Sequence, residues 1–220
     1  MESSINRVYD DLLERIVNLS LLPGEKISEN KMSERYGVSR TVIRGAFHKL
    51  QQIDFLEIRP RSGTFITKID FEYIRSAMLL RLALEKELME RIIANPREKA
   101  VLIKKLKESF EKQKSCVSGK EDMIKFNRYD NEFHGAIYDG HNGTDTKGLV
   151  NSHLLHFARW RNLTLKYDVL LDEIMSEHED IIRFSEAGDI EKLRRILDKH
   201  INRTVYSIFS SGEGFASYFK

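Results

Sequence analysis

Residues 21–66 read LLPGEKISENKMSERYGVSRTVIRGAFHKLQQIDFLEIRPRSGTFI, and the turn residues in this stretch parse it into helix, turn, helix and hairpin. Ser28 is placed to cap a helix over roughly Glu29 to Tyr36, and Gly37 ends it. Ser39 then caps a second helix from Arg40 to about Gln52. Helix, glycine turn, helix is the helix-turn-helix pattern. Beyond it, Phe55-Leu56-Glu57-Ile58 and Thr64-Phe65-Ile66-Thr67 alternate as strands around Arg59-Pro60-Arg61-Ser62-Gly63, which gives a hairpin with a basic tip. Upstream, Val8, Leu12, Leu13, Ile16 and Val17 recur at helical spacing until Leu22-Pro23-Gly24 stops the run. Three helices and such a hairpin make a winged helix over residues 1–68.

After Lys68 the periodicity is helical only. Ile74, Met78, Leu82, Leu88, Met89 and Ile92 mark one helix that ends at Asn95-Pro96; Leu102, Leu106 and Phe110 mark the next; Met123, Phe126, Phe133 and Ile137 mark a third, ending at the Gly140–Gly143 turn. Further helices are expected around Leu149–Leu165, Leu170–Phe184 and Ile190–Ile208. The fold class is therefore mainly α: an N-terminal winged helix-turn-helix and a C-terminal antiparallel bundle of about six helices. Residues 69–72 read as a linker, 73–209 as the bundle and 210–220 as a loose tail.

Composition narrows the function classes. The 220 residues are 41% hydrophobic and 32% charged, and apolar runs are only a few residues long, so neither a membrane span nor a disordered chain fits. The start MESSINRVYDDLLERI carries acids in its first turns and no basic stretch followed by an apolar run, so a cytoplasmic location is expected. Cys116 is the only cysteine, which excludes an intrachain disulfide and leaves nitrogen and oxygen as the donors of any metal site. Only three prolines occur and none follows Pro96, which suits long helices.

The charge is uneven. Residues 1–68 hold 11 basic and 9 acidic residues, the rest of the chain 25 of each. Within the head, Arg35, Arg40, Arg44, Lys49, Arg59, Arg61 and Lys68 face only Asp54 and Glu57, a polyanion footprint. In a helix-turn-helix the first residues of the second helix reach base edges in the major groove, where arginine bonds guanine bidentately. Ser39, Arg40, Thr41 and Arg44 stand there, and Arg44 follows Arg40 by one turn on the exposed face. Arg59 and Arg61 at the wing tip would reach flanking backbone or minor groove. The plain alternative is a solvated charged face.

Six of the seven histidines fall between His134 and His200, in the neutral half. Asp130 lies within the inward arc of Phe126, Phe133 and Ile137, and His134 borders it one turn on. A carboxylate aimed at a core needs a cation, a hydrogen-bonded partner or a proton. His178 shares the face of Leu171, Ile174, Met175 and Ile182, and His200 that of Leu193, Leu197, Ile201 and Thr204. Three helices thus point ligand-type side chains into one interior, as bundles do when they build metal sites. Three imidazoles and one carboxylate suit Zn, Ni, Mn or Fe, with Zn first among them, and leave positions open for water or an acid. Any one of these histidines taken alone reads more readily as a satisfied core residue than as a ligand; the case rests on the set. His48, His141, His153 and His156 receive no such case.

The quoted stretch, taken with flanking residues as 7–68, resembles the DNA-binding domain of GntR-type bacterial transcription regulators: PG, an acidic helix, then GVSRT and a glycine-ended wing. The resemblance implies that Arg40, Thr41 and Arg44 contact operator DNA and that Gly63 lets the wing approach phosphate. Val42 and Gly45 depart from the family's usual proline and glutamate, Asn30 and Arg61 from its frequent arginine and glycine. The spacing Asp130-x3-His134, Glu177-His178 and His200 resembles the metal-binding FCD effector domain over residues 73–205, with Leu193 replacing a residue that is often small. That resemblance implies that Asp130, His134, His178 and His200 bind a divalent metal with a small organic acid beside it. It further implies that Arg81, in Arg81-Leu-Ala-Leu-Glu85, pairs with the acid's carboxylate; the alternative is an arginine paired with Glu85 or solvated. The expectation is a homodimeric repressor that binds double-stranded operator DNA, does not engage a membrane, is not an enzyme, and responds to a small carboxylate by changing the spacing of its winged helices. A metalloenzyme using the same Asp and three histidines, and a purely structural metal, are the competing readings; no HExxH motif or phosphate-binding glycine loop accompanies the ligands.

Overall fold

Val8, Leu12 and Ile16, four apart, form the fully buried stripe of α1 (Glu2–Val17). The computed structural model describes residues 2–116, 123–141, 145–165, 171–206 and 216–220. Two compact units divide the chain, the first running to Phe71 and including the described C-terminal residues, the second starting at Glu72.

In the first unit β1 (Lys26–Ile27) precedes α2 (Glu29–Tyr36) and α3 (Arg40–Gln52), followed by β2 (Leu56–Arg59) and β3 (Gly63–Ile66). Gly37 closes α2 in the left-handed conformation, φ +62°, and donates to the Glu34 and Ser33 carbonyls, which turns the chain into α3. Ser28 and Ser39 occupy the N-cap positions but make no side-chain cap bond; the Ser39 carbonyl accepts from Val42 N at 3.0 Å. Val42, Ile43, Ala46, Phe47 and Leu50 face inward from α3. The sheet has three strands in the order β1-β3-β2, all antiparallel, with Lys26 opposite Phe65 and Arg59 opposite Gly63. The expected hairpin is present; β1, at two residues, is too short to show alternation in a sequence.

Residues 216–220, read as loose, are ordered against this unit. Ala216–Tyr218 make a single 3-10 turn and Phe219 pairs in parallel with the buried Ile69. Ile69 N donates to Tyr218 O at 2.8 Å, Lys220 N to Ile69 O at 3.1 Å, and Lys220 Nζ sits 3.0 Å from Asp70. An apolar residue in the linker thus finds a strand partner that no local pattern announces. Residues 210–215 of the expected tail, with the expected landmarks Gly143, Leu170 and Ile208, lie outside the described residues.

The second unit holds α4 (Phe71–Ala94), α5 (Pro96–Lys114), α6 (Met123–Tyr138), α7 (Thr146–Leu165), α8 (Leu171–Ala187) and α9 (Ile190–Tyr206). Asn95 accepts from Arg97 N and Glu98 N, with Pro96 at the first helical position, so the break between α4 and α5 is both a stop and a start. α5 packs against α6 and α8, and α8 against α9. Met89, Ile92, Leu102, Leu106, Phe133, Ile137, Ile181 and Leu197 form the core. α6, α8 and α9 turn their polar inward residues toward one interior.

Candidate functional site

Ser39, Arg40, Thr41 and Arg44 are all exposed on the first turns of α3. Arg40 and Arg44 converge on one carboxylate: Glu29 Oε2, at the start of α2, accepts from Arg44 Nε at 2.9 Å and from Arg40 Nη2 at 3.3 Å. Gly45 does not face outward with them; a Cβ there would come within 2.8 Å of Ile5 Cδ1, so glycine lets α1 lie close on α3. On the wing, Arg59 bonds Glu57 at 2.8 Å and stacks 4.6 Å from the Phe65 ring. Its hydrogen bond holds the Glu57 carboxyl below the usual carboxylate range. Arg61 is exposed in a left-handed backbone conformation, φ +60°, and Gly63 has φ +124°, beyond what a side chain tolerates. Lys26 crosses Gly63, its Cε 2.6 Å from where a Cβ would be, and adds a cation that sequence reading missed because it belongs to β1.

In the second unit, His134 from α6, His178 from α8 and His200 from α9 are buried with their ligand nitrogens all within 4.8 Å of one another. His134 Nε2 is 3.1 Å and His178 Nε2 3.3 Å from His200 Nε2. Each opposite ring nitrogen meets an acceptor: Nδ1 of His134 lies 2.9 Å from Glu85 Oε2, that of His178 2.9 Å from Gln113 Oε1, and that of His200 3.1 Å from Glu177 Oε2. Those acceptors fix the proton on Nδ1, so three Nε2 lone pairs are aimed at one point. The ring of Phe133 stacks on His178 at 4.1 Å. Burial above all, with Arg81 nearby, lowers His134 to about 4, and burial with the neighbouring imidazoles puts His178 well below the ordinary histidine value. Both are neutral at pH 7, the form that binds metal.

The donor set fits a divalent cation. Bonds of about 2.0–2.1 Å from nitrogen to such an ion set adjacent ligand atoms roughly 2.9–3.4 Å apart, the range in which the two measured nitrogen separations fall. Asp130, the fourth expected ligand, stands at the edge of the cluster. Its Oδ1 is buried with no hydrogen bond and lies 3.5 Å from His178 Nε2, while Oδ2 accepts from Arg161 Nη1. The cation that a buried carboxylate requires is thus already supplied by Arg161; burial would raise Asp130, but Arg161 together with the neighbouring imidazoles and Arg81 overcomes it and holds the carboxyl below its usual range. One oxygen remains directed at the imidazoles.

Arg81 is buried. Its Nε bonds Glu85 Oε1 at 2.7 Å, its guanidinium lies 4.5 Å from the Phe157 ring, and its Nη2 has no hydrogen-bond partner. Burial would raise the Glu85 carboxyl, but Arg81 and His134 overcome it and hold it at about 2; Tyr138 donates to the same carboxylate at 3.3 Å. Glu85 is here the partner of Arg81 that the alternative reading named, Glu177 stands in its motif without an expected role, and Gln113, three residues beyond Phe110, shares its inward face. Arg159 and Arg161, both buried on α7, had no such signal. The remaining histidines stay apart. His48 is exposed on α3, His141 Nδ1 sits 3.0 Å from Glu98, and His153 Nδ1 lies 2.6 Å from the Tyr73 hydroxyl, with His156 edge-on to the Tyr73 ring. Among the described residues no other trio of His, Cys, Asp or Glu gathers as closely, and no helix is long and apolar enough to cross a membrane.

Comparison with known proteins matches both units. Residues 4–66 fit the model of the gntR family of bacterial regulatory proteins, and residues 77–203 fit that of the FCD domain. The chain is 29% identical over 200 residues to the uncharacterized HTH-type transcriptional regulator YdhC of Bacillus subtilis (strain 168), covering 88% of this chain and 86% of that protein. It is 24% identical over 205 residues to the HTH-type transcriptional repressor RspR of Escherichia coli (strain K12), covering 92% and 87%. A crystal structure of a GntR transcriptional regulator from Rhodococcus sp. RHA1 superposes with a TM-score of 0.77 at 18% identity, covering 96% of this chain and all of that one. These families and relatives are regulators and not enzymes, which retires the metalloenzyme reading. The chain belongs to the GntR family of DNA-binding bacterial transcription regulators, with an FCD domain as its second unit.

Proposed function

We propose that this regulator is a homodimeric repressor whose operator affinity is set by a small organic acid bound in the FCD unit at a divalent metal, zinc before nickel, manganese or iron. The observation that carries the reading is the set of three Nδ1 contacts to Glu85, Gln113 and Glu177, which leave three Nε2 atoms converging. His134, His178 and His200 would hold the cation, with Asp130 Oδ1 as the fourth donor. Bound there, a divalent ion supplies a Lewis-acidic centre for a carboxylate oxygen.

The chain's own residues favour an anion as the ligand. Beside the imidazoles, Arg81 pairs with Glu85, Arg161 with Asp130 and Lys199 with Glu177, so the fixed charges of these pairs balance. A dication tips that balance positive, and an acid restores it. Arg81 offers its Nη2 as a donor to that acid. Arg81 and Glu85 sit on α4, the helix into which the chain passes from the wing, so a pull on Arg81 acts on the element that leads out of the DNA-binding unit. On the DNA side, Ser39, Arg40, Thr41 and Arg44 read the major groove, while Arg59, Arg61 and the backbone at Gly63 engage the flanking phosphates.

A gel shift on the gene's own upstream region tests both halves, using zinc-loaded and chelated protein with a panel of di-, tri- and hydroxycarboxylates. At least one acid should change affinity for the zinc-loaded protein and have no effect after chelation or in His178→Ala. If no acid acts on loaded protein that binds the duplex, the sensing half fails.

A further inference from the structure

We propose that Glu29 is a specificity-determining residue of the DNA interface, holding Arg40 and Arg44 of the reading helix and withholding them from phosphate. The inference rests on the assignment of α3 as the helix that enters the major groove. A single oxygen, Oε2, takes both arginines, through Nε of Arg44 at 2.9 Å and Nη2 of Arg40 at 3.3 Å.

Neither packing nor stability accounts for this placement. α2 has no fully buried residue, and ion pairs this exposed add little to folding. An acid in the first turn suits the helix dipole, but the dipole does not require a side chain that crosses to α3. The geometry has a direct consequence for recognition. With Nε engaged, Arg44 presents only its two terminal nitrogens outward, the end-on fork that matches O6 and N7 of guanine. Arg40, held by Nη2, keeps Nε and Nη1 for a second contact.

Glu29 also sets a negative charge between two cations on a surface that meets a polyanion. That charge weakens attraction to any run of phosphates, whichever the sequence. A base edge with two well-placed acceptors can compete for the fork where a lone phosphate competes poorly. Glu29 therefore lowers off-site binding more than on-site binding, and specificity is that difference.

The test starts from a duplex selected by the full-length wild-type protein from a randomised pool, beside a scrambled duplex of equal composition. Affinities for both are measured for wild type, Glu29→Gln and Glu29→Ala across a salt series, with urea unfolding of each protein. Both variants should bind the scrambled duplex more tightly, with a salt slope steeper by about one, and their selected-to-scrambled ratio should fall about tenfold; the unfolding midpoints should stay put. An unchanged ratio in both variants, with or without a lowered midpoint, would overturn the proposal and leave Glu29 as a helix-terminal charge. Wild type that selects no duplex at all would instead bring down the assignment of α3, and the inference with it.

Discussion

Arg44 and Arg81 each meet a glutamate, at 2.9 Å and 2.7 Å, yet the two pairs sit in different solvents. Arg44 and Glu29 are 62% and 28% exposed, whereas Arg81 and Glu85 are 5% and 0% exposed. In water the first pair is a loose restraint that DNA can displace. In the protein interior the second is one joint of a network in which every charge depends on its neighbours. Similar chemistry at similar distances thus serves release on the surface and fixation in the core.

Removing an acceptor should separate the two regions most sharply in the interior. Glu85→Ala strips Arg81 and the His134 Nδ1 of their shared partner and should cost about 3–5 kcal/mol of unfolding free energy in a urea titration; a loss under about 1 kcal/mol would mean the buried pair is no more than a surface pair. On the surface, Arg44→Ala should weaken binding to the selected duplex by about 1–3 kcal/mol and leave the urea midpoint within about 0.5 kcal/mol of wild type. Equal losses in folding and binding would erase the contrast. The smallest effect belongs to the wing. Arg59 is already occupied by Glu57 and Phe65, so Arg59→Ala should reduce the salt slope by about one across specific and scrambled duplexes alike.

The same contrast explains what could be read from the residues alone. Exposed Arg40 and Arg44 announce themselves because α3 buries Ile43, Phe47 and Leu50 at regular spacing, which leaves the other face legible. His178 and His200 ride on similarly one-sided helices. α7 is different: Phe157, Ala158, Arg159, Trp160 and Arg161 are buried in succession, so that turn is surrounded and no period separates inside from outside. Arg161, and with it the partner of Asp130, was invisible for that reason. Gln113 and Glu177 show a further limit. Their inward position was readable, but the imidazole each one meets depends on how α5, α8 and α9 pack. β1 is likewise a product of tertiary pairing, because two residues carry no alternation and its strand exists only opposite Thr64 and Phe65.

The central claim is that the three converging imidazoles hold a cation, and metal stoichiometry tests it most directly. Purified full-length protein, stripped with chelator, reloaded with zinc and dialysed, should retain about one ion per chain by elemental analysis, and His178→Ala and His200→Ala treated alike should retain almost none. Wild type that comes out of dialysis empty, or variants that keep as much zinc as wild type, would contradict it.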